Sequence, residues 1–508
     1  MNFYILKWSP KVLKYILVLG ALLYLIVYLV LAFYRIRYPF ELEWMEGGAV
    51  DHVRRILAGQ KLYVRPSLEF VPYTYTPLFF YLSALVSKIV GIGFIPLRLV
   101  SFISSAGCFS VIFLIVYRET KSKFFGLLSS GLFAATFVIT SSWFDLARVD
   151  SLFLFLILAG IYILRFGTSW QSYIIAGLFV WLSFLTKQTA LIIAFPLMVY
   201  CVFVNWRRAI FFISVIVLGV IGSTILLNRL HEGWYSFYIF QLPQPFHIER
   251  IKKEVILYFW TRDLLINLPI ASLMSAFYLL AFSLNTSKKH DLFYLFTAAG
   301  MIGGAWVTRM HLGAVENVLL PAYAMLSILF GLGMDKVFEF AQFELEDQRA
   351  KMAVYVYLAC IIQFALLLYN PRDEIPRQQD LQAGQRFIRL IDEIQGDIFV
   401  PNHGYLPALA GKDIQAHGMA VYDVLRGSEE HTKAELIEEI NSAIGEKRFS
   451  AIILDNSDFV SNYLRPEVEK YYETKQHIFS SETVFWPITG MITRPENIYM
   501  PKENETEE

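Results

Sequence analysis

Four short stretches carry the residues able to do chemistry. "FELEWMEGG" places Glu41, Glu43 and Glu46 directly after an apolar run, interleaved with Leu42, Trp44 and Met45. A carboxylate in partly apolar surroundings has a raised pKa and can serve as a general base; acidic residues that merely end an apolar helix are the competing reading. "FDLARVDSLF" contributes Asp145, Arg148 and Asp150 at a turn between two apolar runs, where an Arg–Asp cap competes with direct chemistry. "FLTKQTAL" sets Lys187 between two further runs, where a lysine can also snorkel to the interface. "TRMHLGAVENVLLP" carries Arg309, His311, Glu316 and Asn317 at another junction. Arginine and lysine facing one cavity make an anion site for a phosphate or diphosphate.

The elements around these residues are apolar. Of the 508 residues 56% are hydrophobic and only 17% charged, against about 25% charged in soluble domains; the chain reads as a polytopic α-helical membrane protein. Zero net charge excludes an electrostatic footprint for nucleic acid. Cys108, Cys201 and Cys360 lie in apolar runs without disulfide or zinc spacing, so they read as small buried residues; no cofactor is assigned, and a divalent metal is left open without support from the sequence. Lys7, Lys11 and Lys14 precede a run from Tyr15 to Tyr34, too long for a signal-peptide core and read as an uncleaved first span with its N-terminus in the cytoplasm. Further runs fall near 97–117, 124–143, 149–166, 170–186, 188–204, 209–228, 263–283, 291–308, 316–333 and 351–369, for about eleven spans.

Loop charges set the topology. Arg118/Lys121/Lys123, Arg207/Arg208, Lys288/Lys289 and Lys336/Arg349 all become cytoplasmic if the 97–117 helix runs inward. Residues of about 35–96 must then form one external loop, so the short run 77–91, interrupted by Lys88, is interfacial. "EGGAVDHVRRILAG" predicts an amphipathic helix on the membrane surface, with Asp51, His52, Arg54 and Arg55 opposite its apolar face. All four chemical stretches fall on the outer side, implying one extracytoplasmic site. The division expected is 1–370 for the membrane domain, 371–500 for a small extracytoplasmic α/β domain, and 501–508 as a disordered tail. "DIFVPN" and "FSAIILDN" predict parallel strands, with "TKAELIEEINSAI" as a helix between them; without a glycine-rich phosphate loop the domain is assigned no catalysis.

In that order, the first run followed by "EWMEGG", then "LAGQKLY", "YTYTPLFFYLSALVSKIVG", "LRLVSF", "LARVDSLFLFL" and "LTKQTAL" resembles the GT-C superfamily of polyprenyl-phosphate-sugar-dependent glycosyltransferases, in the bacterial branch similar to protein O-mannosyltransferases and lipid A aminoarabinose transferases. The resemblance covers about residues 13–330. Where the family has an Asp-Glu pair this chain has Met45-Glu46, so Glu41 or Glu43 must supply any second carboxylate. It implies an inverting hexosyl- or pentosyltransferase of a bacterial inner membrane. Its partners would be a polyprenyl-phosphate sugar donor, membrane lipids, and a glycan, lipid or protein acceptor. Glu46 is the expected base because it matches the family's acidic-Gly position, precedes Gly47 and Gly48, and starts a helix. Glu43 is the alternative. Lys187, Arg148, Asp150, Arg309, His311, Tyr75, Glu316 and Asn317 are the expected substrate-binding set.

Overall fold

The computed structural model describes residues 3–243, 253–283, 289–310, 314–342, 344–456 and 458–503. The apolar runs are mostly helical, but the run expected as a span at 124–143 is an α-helix only to Ala135. The helices are α1 (Phe3–Ile36), α2 (Glu46–Leu57), α3 (Leu78–Val90), α4 (Phe94–Thr120), α5 (Lys123–Ala135), α6 (Asp150–Phe166), α7 (Trp170–Phe184), α8 (Ala190–Leu230), the single turns α9 (Trp234–Ser236) and α10 (Lys253–Tyr258), α11 (Pro269–Ser283), α12 (Lys289–Arg309), α13 (Leu320–Ala341) and α14 (Glu346–Leu366). Caps mark several boundaries: Ser122 and Ser169 accept from the backbone N–H groups of Phe125 and Ser172, satisfying donors the first turn leaves free. Among the described residues, five helices are long and apolar enough to cross a membrane, and a sixth if the pair Ile256–Ile266 and Pro269–Ala281 counts as one. That pair bends by 101°, so the run expected as a straight span at 263–283 is a broken element, entered through a π-helical stretch over Phe259–Ile266. The runs 188–204 and 209–228 are joined in α8 through a break at Asn205 (φ −158°, ψ 85°), whose side chain caps the second half by accepting from the Arg208 N–H. Helix α13 is wrapped on all sides by the others and forms the centre of the bundle.

The basic loops gather at one end. The Lys14 ammonium lies 4.8 Å from the Phe124 ring, Phe124 packs on Tyr357, and Phe125 on Phe338. At the other end the first loop and the C-terminal region share one core, in which Val50, Val53 and Leu62 pack with Phe399, Leu436, Ile452 and Tyr499.

The C-terminal region comprises α15 (Gln378–Glu393), β1 (Ile398–Phe399), α16 (Tyr405–Leu409), α17 (Gly418–Leu425), α18 (Glu430–Gly445), β2 (Ala451–Leu454), α19 (Phe459–Tyr471), β3 (Tyr472–His477) and β4 (Asn497–Pro501). The sheet order is β1-β2-β4-β3, with β1 and β2 parallel and the other pairs antiparallel. The two strands and the helix read from sequence are present. The expected tail begins later than residue 501, because Pro501 pairs with Tyr472 and the Lys502 N–H donates to Tyr471; residues 504–508 lie outside the described residues.

Helix α2 corrects another expectation. It does not lie on a membrane surface with a solvated polar face: Asp51 and His52 are both buried. The helix is buried because the C-terminal region covers it, α16 packing against it.

Candidate active site

The acidic segment after α1 is threaded between the membrane helices and the C-terminal domain, and nearly every residue of it is gripped. The Leu42 carbonyl accepts from the N–H groups of Ile488 (2.9 Å) and Thr489 (3.2 Å). The Trp44 carbonyl faces His417 Nε2 at 3.1 Å, and the Met45 carbonyl accepts from the Tyr73 hydroxyl at 3.0 Å. Gly47 and Gly48 are required by this crowding, since a methyl on Gly47 would collide with the Glu41 carboxylate and one on Gly48 with the Tyr73 hydroxyl.

Glu46 is the most tightly held group. Arg98 donates to both its oxygens, from Nε to Oε1 at 3.0 Å and from a terminal nitrogen to Oε2 at 2.6 Å. The N–H groups of Ala147 (2.6 Å) and Leu42 (2.7 Å) complete the shell. Burial alone would raise its pKa, but Arg98 and the backbone donors pull it below the usual carboxylate value. A fully exposed lone pair is what a base needs, and Glu46 has none to offer. Its geometry is that of an anchor, contrary to the expectation from sequence.

Glu43 differs in each respect. It is buried, and its Oε2 accepts from Met45 N–H (3.2 Å) and from Arg148 (3.3 Å). Among the described residues Oε1 has no hydrogen-bond donor. Burial pushes its pKa up to about 8, outweighing the opposing pull of Arg148. Arg148 is held in turn by the Tyr75 hydroxyl at 2.9 Å and lies against the Trp143 ring. The Arg148 pairing was expected with its sequence neighbours; instead Asp145 pairs with Arg35 (2.9 Å) and Asp150 with Lys187.

Asp150, at the start of α6, gathers three donors: Lys187 Nζ (2.7 Å) and the Asn317 amide (3.1 Å) on Oδ1, and the Trp143 indole (2.8 Å) on Oδ2. Asp150, Lys187 and Asn317 line a cavity whose other walls are Thr189, Thr308 and apolar residues of α6, α8, α12 and α13. Lys187 is therefore 8% exposed and paired, not snorkelling. Arg309 is engaged by two carboxylates, Asp263 (3.0 Å) and Glu316 (3.1 Å), which tie the end of α12 to the bent pair and to the turn before α13. These partners neutralise it, in contrast to its expected place as a free cation. His311 lies outside the described residues.

The sequence reading sets His52 on a solvated helix face and passes over His417 and His403, yet all three are buried. His52 receives the Tyr73 N–H on Nε2 (2.8 Å) and faces the Gly48 carbonyl through Nδ1 (2.6 Å), so it is neutral; burial lowers its pKa to about 4. His417 accepts the Met419 N–H on Nδ1 and donates through Nε2 to Trp44, with its pKa lowered to about 3 by burial. His403 has a carboxylate at each nitrogen, Glu41 at Nδ1 and Asp455 at Nε2 (3.1 Å), and burial notwithstanding these raise its pKa to about 10. His403 and Asp455 follow the carboxyl ends of parallel strands β1 and β2, where open α/β sheets place ligating groups. "VPNHG" and "LDN" carried that signal.

Residues 74–228 match the family model described as dolichyl-phosphate-mannose-protein mannosyltransferase. No curated protein matches the sequence. The structure is similar to ArnT from Cupriavidus metallidurans bound to undecaprenyl phosphate, at 12% identity and TM-score 0.59, over 95% of this chain and 98% of that one. Against the apo state of the same protein the identity is again 12%, with TM-score 0.58 over 94% and 97% of the two chains. Residues 74–228 thus resemble that mannosyltransferase family, and over nearly its whole length this integral membrane chain shares the fold of ArnT.

Proposed function

We propose that the chain transfers a sugar from a polyprenyl-phosphate donor to a hydroxyl-bearing acceptor at the outer face of a bacterial inner membrane, with Glu43 as the general base. The carrying observation is the state of Glu43: buried, raised to about 8, fixed through Oε2, and open at Oε1. Such a group holds its shape while taking up a proton. In a single inverting displacement the acceptor oxygen attacks the anomeric carbon and its proton passes to Glu43. The bond from that carbon to the phosphate oxygen breaks, and its electron pair leaves with the lipid phosphate. Arg148 and Lys187 oppose the negative charge that develops there. The cavity beside Lys187 is small, about 10 Å³, so the lipid chain of the donor would lie outside it. Undecaprenyl phosphate bound to the similarly folded ArnT supports that donor class. Arg98, Asp150, Arg309 and Glu316 position these groups.

The test is incubation of purified protein in liposomes with a panel of radiolabelled undecaprenyl-phosphate sugars and candidate glycan, lipid and protein acceptors. Transfer of label with release of undecaprenyl phosphate is expected. Uptake or translocation of the labelled lipid without transfer would overturn the proposal.

A further inference from the structure

We infer that His403 is a positioning residue for the transfer step, acting on Glu43 through Glu41, so that the C-terminal domain supplies a fixed part of the catalytic centre. The inference rests on the reading of Glu43 as the base. Ionised carboxylates only accept hydrogen bonds, so an imidazole between two ionised carboxylates carries a proton on each nitrogen. His403 meets that condition while 3% exposed, with Glu41 from the first loop on one side and Asp455 from the end of β2 on the other. Asp455 is itself braced by the Asn402 amide (3.3 Å) and the Thr493 hydroxyl. The clamp therefore runs from a rigid sheet to a residue two positions before Glu43 and spans 362 positions of sequence. It does not act alone. The domain also holds the Leu42 carbonyl through Ile488 and Thr489, and the Trp44 carbonyl through His417. Fastening the domain to the membrane helices would need only apolar contact, which the shared core already provides. Directional bonds on either side of Glu43, that of His403 to Glu41 charge-assisted, do something else: they fix the backbone that aims Oε1. Displacement of a catalytic group by about 1 Å can cost on the order of a hundredfold in rate.

The experiment compares full-length wild type with His403→Gln, Glu41→Gln, the double variant and Glu43→Gln in the radiolabelled undecaprenyl-phosphate sugar assay, with thermal midpoints in detergent and the active fraction counted. His403→Gln and Glu41→Gln should each lower kcat per folded molecule about tenfold to a hundredfold. The donor KM should stay within about twofold, because the donor cavity is untouched. The acid limb of the pH–rate profile should move, and the double variant should be no slower than the worse single, as expected for groups acting through one contact. Full-rate turnover per folded molecule in Glu41→Gln, which keeps the side-chain shape should His403→Gln not fold, overturns the positioning role alone when Glu43→Gln is slow. Full-rate turnover in Glu43→Gln overturns the base assignment and the positioning role with it.

Discussion

Glu43 and Arg148 meet as a buried ion pair, 3.3 Å apart across 105 positions of sequence, where the first external loop touches the turn before α6. Among the described residues the pairing leaves one Glu43 oxygen without a donor. Around it stand two other acidic residues of the same segment, each committed elsewhere: Glu41 to His403 and Glu46 to Arg98. Three glutamates within six residues thus sit in three different environments.

The Glu46–Arg98 pair is fully buried and should behave as architecture. Breaking a buried ion pair by removing one partner costs about 3–5 kcal/mol. Glu46→Gln should therefore lower the thermal midpoint and the folded yield, measured by fluorescence-detected size exclusion. A variant as stable as wild type but inactive would return Glu46 to catalysis.

Lys187 and Arg309 should separate in donor binding. Lys187 faces the cavity, and losing a charge-assisted contact costs about 1.5–3 kcal/mol, or roughly tenfold or more in affinity. Lys187→Ala should weaken undecaprenyl phosphate binding by that factor, whereas Arg309→Ala, outside the cavity and tying Asp263 to Glu316, should chiefly lower stability. Equal loss of affinity in both variants would show Arg309 to be a donor ligand.

Burial raises Glu43 to about 8, so at neutral pH most molecules carry it protonated and unable to act as a base. With rising pH the carboxylate forms and transfer should quicken. kcat/KM should fall about tenfold per pH unit below about 8 and level off above it. A rate flat between pH 6 and 9 would show that no group with this pKa is needed.

The packing of the first loop on the C-terminal domain requires both on one side of the membrane. Cysteines replacing exposed Gln60 and Lys475 should label together with an impermeant reagent applied from outside, and one replacing Lys121 should not. Labelling of Lys121→Cys with the other two would contradict the topology.

Much of this was legible in the sequence because hydropathy and loop charge are local. The apolar runs, the external loop with its two short helices, and the paired strands "DIFVPN" and "FSAIILDN" all follow from neighbouring residues. What was not legible is pairing across distance. Arg98 reads as one charge at the head of an apolar run, and nothing near it names Glu46, 52 positions away. Asp51 and His52 read as a solvated face because their cover is distant in sequence: Tyr405 lies beside Asp51, and Phe70, Tyr73 and Phe80 enclose the His52 ring. The role of the tail was missed for the same reason: His403 has no acidic neighbour in sequence and two in space.

The most direct measurement of the central claim is single-turnover sugar transfer by Glu43→Gln in liposomes, with undecaprenyl phosphate binding measured on the same sample. The substitution keeps shape and hydrogen bonding but removes the basic oxygen, and loss of a general base lowers rates about 10²–10⁴-fold. Folding and lipid binding should match wild type while transfer slows at least about a hundredfold. Transfer at near-wild-type rate in Glu43→Gln would contradict the account.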